Sequence, residues 1–211
     1  MFRKILSSFL AWRIVLFIFT VAAMYILPFQ QAFSALNYGH NPPYHLFVWG
    51  NFDGYHYMKI AQIGYLPHLY PFFPLYPIFI RLIVEILHIH FYLRGAQIIS
   101  NASFITGLFF VGKLLQQDKK ANLFPLLLMV TFFYPTSFFY TAAYNDSLFF
   151  LFATLTMYFG RKKAWTVSSL FGALATLTRL NGLALFFFIL LEYFPTIESV
   201  KRISLKKILK D

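Results

Sequence analysis

The chain has 211 residues, of which 59% are hydrophobic, 22% aromatic and only 12% charged, against roughly a quarter charged in ordinary soluble domains. This excludes intrinsic disorder, a coiled coil and a secreted disulfide scaffold, and the absence of Cys excludes thiolate chemistry and Cys-ligated zinc. The net charge of +11 does not point to nucleic acid, because the basic residues stand in short clusters between apolar runs rather than on one face of a soluble module.

Those clusters describe membrane topology. A hydrocarbon core about 30 Å thick takes about 20 helical residues to cross, and about six apolar runs approach that length. The first covers residues 14–33, after Arg3, Lys4 and Arg13. Its beginning has the look of a signal-peptide core, but no small-residue cleavage site followed by a soluble domain comes after it, so it reads as a crossing.

Next comes a long segment, 34–95, too polar at its start to span and too apolar later to lie free in water. It is expected on the outer membrane surface. Within it, 53–64 reads as an amphipathic helix. Tyr57, Ile60 and Ala61 share one face, His56, Lys59 and Gln62 another, with Asp53 placed to cap the start and Gly64 the end. Residues 77–90 are apolar but carry Arg81 and Glu85 four apart, which suits an in-plane, re-entrant or short transmembrane helix.

A second crossing follows at 97–115, closed by a polar turn at 116–120. Two shorter hairpins complete the pattern, 123–134 with 148–159 and 165–177 with 183–194, before a basic tail at 201–211. An N-terminus placed inside puts Arg3 and Lys4, Lys113 to Lys120, Arg161 to Lys163 and the tail on the cytoplasmic side. The expected fold is all-α and polytopic, a single integral membrane domain over 1–211. It divides into an external loop at 34–95 that carries the candidate site, helical hairpins at 96–200 and a cytoplasmic tail.

Ionisable groups away from the cytoplasmic side are the natural carriers of chemistry, because charges at membrane depth are costly unless paired or facing a cavity. They are Asp53, Lys59, Arg81, Glu85, Arg94, Asp146 and Arg179. Plainer roles exist for each: Asp53 and Asp146 as helix caps, Arg179 snorkelling to headgroups, Arg81 with Glu85 as an i,i+4 pair. His40, His45, His56 and His68 show no metal-ligand spacing, and His88 and His90, two apart, point to different sides of a helix.

Longer motifs carry more. The run Phe52-Asp53-Gly54-Tyr55-His56-Tyr57-Met58-Lys59-Ile60-Ala61-Gln62-Ile63-Gly64-Tyr65, with Phe72-Phe73-Pro74-Leu75-Tyr76-Pro77 after it, resembles the first external loop of the PIG-V-type mannosyltransferases of the GT-C superfamily. Pro135-Thr136-Ser137-Phe138-Phe139, Ala142-Ala143-Tyr144-Asn145-Asp146-Ser147-Leu148-Phe149 and Thr178-Arg179-Leu180-Asn181-Gly182 are similar to later motifs of that family. Two departures are Phe52 where the family has Trp before its acid, and Asn145-Asp146 where it has Ser-Glu. Family members are longer, with further crossings, so the resemblance is to their N-terminal half.

The resemblance implies a GT-C-like fold and transfer of mannose from a polyprenyl (dolichyl-type) phosphate-mannose donor to a lipid-linked or other glycan hydroxyl on the external or luminal face. It implies Asp53 as general base and His56 as its neighbour in catalysis. Arg179, or Arg81, would hold the phosphate; Asn145 and Asp146 would contact sugar hydroxyls or a divalent ion; the aromatic segment, Tyr57 and Tyr65 included, would stack on the sugar and guide the prenyl chain. No cofactor is required, and two acids do not establish a metal. Membrane lipids are expected partners, nucleic acid is not, and a second polypeptide completing the enzyme is an alternative for so short a chain. A different lipid-phosphate sugar and a non-catalytic partner subunit are the alternative functions. The short Lys-rich loops favour a prokaryotic plasma membrane over the endoplasmic reticulum.

Overall fold

Residues 2–26 contain neither Gly nor Pro, and they form one uninterrupted helix, α1 (Phe2–Ile26), that stops where Leu27 turns extended ahead of Pro28. The structure, a computed structural model, describes residues 1–27 and 48–194. The end of the first expected crossing, the start of the external segment with His40 and His45, and the basic tail lie outside the described residues.

Helix α2 (Asp53–Ile63) and helix α3 (Leu75–Ile86) come from the external segment. At 12 residues, α3 is about 18 Å long, short of the about 20 residues that a full crossing takes, and α5, α7 and α8 are likewise short of it. Helix α4 (Tyr92–Gln117) follows, then α5 (Phe124–Phe133) with Pro in its first turn, α6 (Asp146–Arg161), α7 (Trp165–Thr178) and α8 at 184–194. No strand occurs among the described residues. Helices α1 and α4 are long and apolar enough to cross a membrane.

Contacts between helices set their directions. Met1 meets Gln116 and Phe2 meets Phe109, while Phe9 and Trp12 reach Phe104, so α1 and α4 are antiparallel. Ser168 Oγ donates to the Thr156 carbonyl at 2.8 Å and Trp165 packs on Tyr193, which makes α6, α7 and α8 an antiparallel series. Arg161 pairs with Asp118 at 3.8 Å and with Glu192 at 3.1 Å, gathering the ends of α4, α6 and α8 beside Met1. Among the described residues the basic clusters at Arg3 and Lys4, Lys113 to Lys120 and Arg161 to Lys163 therefore share one end of the bundle.

Two apolar clusters hold it. One joins Ile5 and Phe9 to Phe104, Leu108, Leu128 and Phe132; the other joins Trp49, Tyr57 and Tyr76 to Ala96, Leu148 and Phe152. Many large apolar side chains on α1, α5 and α8 are exposed, Phe19, Phe133 and Leu191 among them, as expected of surfaces that face lipid.

Candidate active site

At the end opposite the basic clusters, three chain segments converge. The first is the start of α2. Phe52 adopts φ +50° and ψ −123°, a region that non-glycine residues rarely occupy, and the turn delivers Asp53 as the first helical residue with its side chain exposed. Gly54 lies against the second segment: a Cβ there would stand 3.0 Å from the Ala143 carbonyl oxygen. Close approach of two backbones requires glycine at this position.

That second segment is the connection 134–145. Its register is set by backbone bonds, with Ala143 N–H donating to the Trp49 carbonyl at 2.7 Å, and by Ser100 Oγ, which donates to the Tyr144 carbonyl at 3.2 Å. The Tyr76 hydroxyl, fully buried, lies 2.7 Å from Ser100 Oγ and so ties α3 to the same point. Tyr144 donates its hydroxyl to the Asn51 carbonyl at 3.0 Å, just ahead of Asp53.

The third segment is the corner after α7. Buried Asn145 donates its amide to the Thr178 carbonyl at 2.6 Å, locking this corner to the start of α6. Next to it, Arg179 Nη1 donates to Asp146 Oδ1 in a partly exposed ion pair.

Neither acid caps its helix. Phe52 and Asn145 occupy the capping positions and make no side-chain cap bond, which corrects the capping role expected for Asp53 and Asp146. Their negative charge still lies at helix starts, where the macrodipole favours it.

Electrostatics show the convergence. Burial pushes the Tyr57 phenol up, and the charges of Asp53 and Asp146 push it further while Arg179 opposes them, with Tyr65 adding a smaller push. The Tyr144 phenol is raised by burial and by the same two carboxylates. Asp53, Tyr57, Tyr65, Tyr144, Asp146 and Arg179 thus share one neighbourhood. His56 also feels Asp53, but burial dominates and holds its imidazole below its ordinary 6.5. Its ring packs on Phe72 with centroids 4.9 Å apart, and its Nδ1 is enclosed without a hydrogen-bond partner, so this nitrogen does not orient the carboxylate.

Arg81 stands apart from this group. It bonds Glu85 at 2.9 Å on the exposed side of α3, away from the buried stripe of Tyr76, Ile80 and Val84. Tyr65 donates its hydroxyl to the Phe72 carbonyl at 2.8 Å, bracing the turn after α2. Among the described residues no group of three or more His, Asp or Glu side chains converges.

Two residues that sequence reasoning passed over lie behind the 134–145 connection, Trp49 through its bond to Ala143 and Arg13 through Trp49. Trp49, 2% exposed, stacks on Phe138 at 4.7 Å between centroids. The Arg13 guanidinium carbon lies 4.3 Å from the centroid of the Trp49 ring. Arg13 is therefore not the flank of the first apolar run but a residue near the middle of α1. The signal was present in the sequence: apolar residues run on both sides of Arg13 without a helix breaker from residue 2 to residue 26.

Residues 3–207 match the family model described as mannosyltransferase (PIG-V). No curated protein and no solved structure matches the chain.

Proposed function

Since the chain belongs to the PIG-V mannosyltransferase family and is by that membership a glycosyltransferase, we propose that it moves mannose from a polyprenyl-phosphate-mannose donor to an acceptor hydroxyl at the end of the bundle that carries Asp53. The long apolar helices α1 and α4 together with the family make it a membrane protein. In the proposed topology six helices cross or enter the bilayer, the basic end faces the cytoplasm and the site faces outward.

The observation that carries this reading is the convergence of Asp53 with the Asp146–Arg179 pair around buried Tyr57, opposite the basic end. Asp53 is exposed and at a helix start, so it is open to a substrate hydroxyl. The acceptor O–H gives its proton to the Asp53 carboxylate as its oxygen bonds to the anomeric carbon. On the opposite face the bond from that carbon to the phosphate oxygen breaks, and polyprenyl phosphate leaves. Inversion follows from attack opposite the leaving group. A phosphate departs as a weak base, so one carboxylate suffices where glycosidases use two.

The Asp146–Arg179 pair borders the sugar, with the guanidinium N–H groups not taken by Asp146 available to sugar or phosphate oxygens. Asn145 acts through its neighbours by fixing Thr178. Tyr57, Tyr65 and His56 form the aromatic wall on the α2 side.

Transfer of radiolabelled mannose from polyprenyl-phosphate mannose by the purified chain in liposomes, wild type against Asp53→Asn, tests the reading. A folded variant slower by about a hundredfold or more is expected, in line with the contribution of general-base catalysis. Equal rates would remove Asp53 from the chemistry, and transfer from a different lipid-phosphate sugar alone would replace the donor.

A further inference from the structure

We infer that Arg13 receives the phosphate of a polyprenyl-phosphate lipid at this site; the inference rests on the donor reading above and names the cation that serves it. Arg13 lies near the middle of α1, roughly 17 Å from Phe2 and roughly 20 Å from Ile26 along the helix axis. A guanidinium at such a depth in an apolar helix is costly unless something compensates it, and such residues mark substrate paths.

Nothing among the described residues compensates it fully. Arg81, Arg161 and Arg179 each hold a carboxylate, whereas Arg13 holds none. The Trp49 ring, its centroid 4.3 Å from Cζ, attracts the charge but offers its N–H groups no oxygen acceptor. Nη1 is enclosed with no acceptor. A buried donor left in that condition loses its hydration for no return, so the site is built for an acceptor that arrives with the substrate.

Its position suits a phosphate. Arg13 stands between the two apolar clusters, since Trp12 packs with one and Leu16 and Trp49 with the other. The Trp49 carbonyl holds Ala143, and Asp53 follows Trp49 by four residues, a reach of roughly 14 Å at most even in an extended chain. In this proposal the donor lies with its sugar toward Asp53 and its phosphate toward Arg13. The exposed apolar side chains of Ile14, Ile18 and Phe19 continue from there along α1 and offer a lipid-facing surface to the prenyl tail.

The test is saturable binding of tritiated, sugar-free polyprenyl phosphate to the full chain in phosphatidylcholine nanodiscs, with mannosyl transfer followed in parallel. Arg13→Gln should weaken binding by about tenfold to a hundredfold, the span of charge-assisted hydrogen bonds, and Arg13→Lys by less, because the charge is kept and the planar fork is lost. Excess phosphatidylglycerol should not displace the probe. Arg13→Met should melt, without ligand, at or above the wild-type temperature, because it removes an uncompensated charge. Unchanged affinity in Arg13→Gln, no binding by the wild type, displacement by phosphatidylglycerol, or a lower melting temperature in Arg13→Met would each overturn the inference. Arg13-dependent binding without mannose transfer would sink the mannose reading and leave this site standing. Transfer by Arg13→Gln with an unchanged KM for donor would do the reverse.

Discussion

Arg179 and Asp146, 33 positions apart, form an ion pair that joins the end of α7 to the start of α6. Both side chains are partly exposed, so the pair contributes at most about 1 kcal/mol to stability, and its value lies in placing the two groups. Asp146→Asn and Arg179→Gln should each lower mannose transfer by tenfold or more while shifting the melting temperature little. A double-mutant cycle on activity should show strong coupling, the second substitution costing far less than the first. Independent, additive losses would mean that the two residues do not act as a unit.

Asn145 is expected to behave oppositely. Asn145→Ala strips the donor from the buried Thr178 carbonyl, a loss of about 1–3 kcal/mol. Its melting temperature should therefore fall further than that of Asp146→Asn, which thermal denaturation in detergent compares directly.

Gly64 and Gly54 answer to different causes. Gly64 ends α2 at φ +85° and ψ −172° with nothing within 4 Å of a built Cβ, so Gly64→Ala should cost about 1–3 kcal/mol through backbone conformation alone. Gly54→Ala instead pushes on the Ala143 carbonyl and moves α2 against the connection that leads to Asp146. Activity should drop more than stability there, read by mannose transfer alongside a melting curve.

His56 supplies a pH dependence. Burial is the largest influence, and the folded imidazole titrates below its ordinary 6.5. The unfolded chain then binds the proton more readily, so stability is whole above about pH 6.5 and declines as pH falls from there toward the lower folded value. Melting temperatures measured between pH 7.5 and pH 5 should show a shallower decline for His56→Gln than for wild type.

The chain has no Cys, so single cysteines report topology without background. Tyr70→Cys, at an exposed position next to α2, should react with an impermeant maleimide from outside intact cells, and Lys120→Cys only after permeabilisation. The opposite pattern would invert the proposed orientation.

Much of the scaffold was legible beforehand. The breaks between helices coincide with the polar turn after α4 and the basic turn after α6, and α2 occupies residues 53–63 as its amphipathic spacing and terminal Gly64 predict. These features depend on neighbours within a few residues, where helical periodicity and backbone preference act. Arg3, Lys4 and Arg13 read in the sequence as a basic flank ahead of the first apolar run, whereas α1 runs through all three.

By itself the sequence determined the helical and apolar character of the described segments, the short basic clusters between them, and the motifs carrying Asp53, Asp146 and Arg179. Only the tertiary structure decided that Arg179 is bound to Asp146, that Asn145 braces a corner rather than facing outward, that Arg81 keeps to Glu85, and that Arg13 lies over Trp49. The reason is physical. Local propensity sets where a helix begins and ends, but which side chains meet across tens of residues depends on how the helices pack, and packing is a property of the whole set of facing surfaces at once.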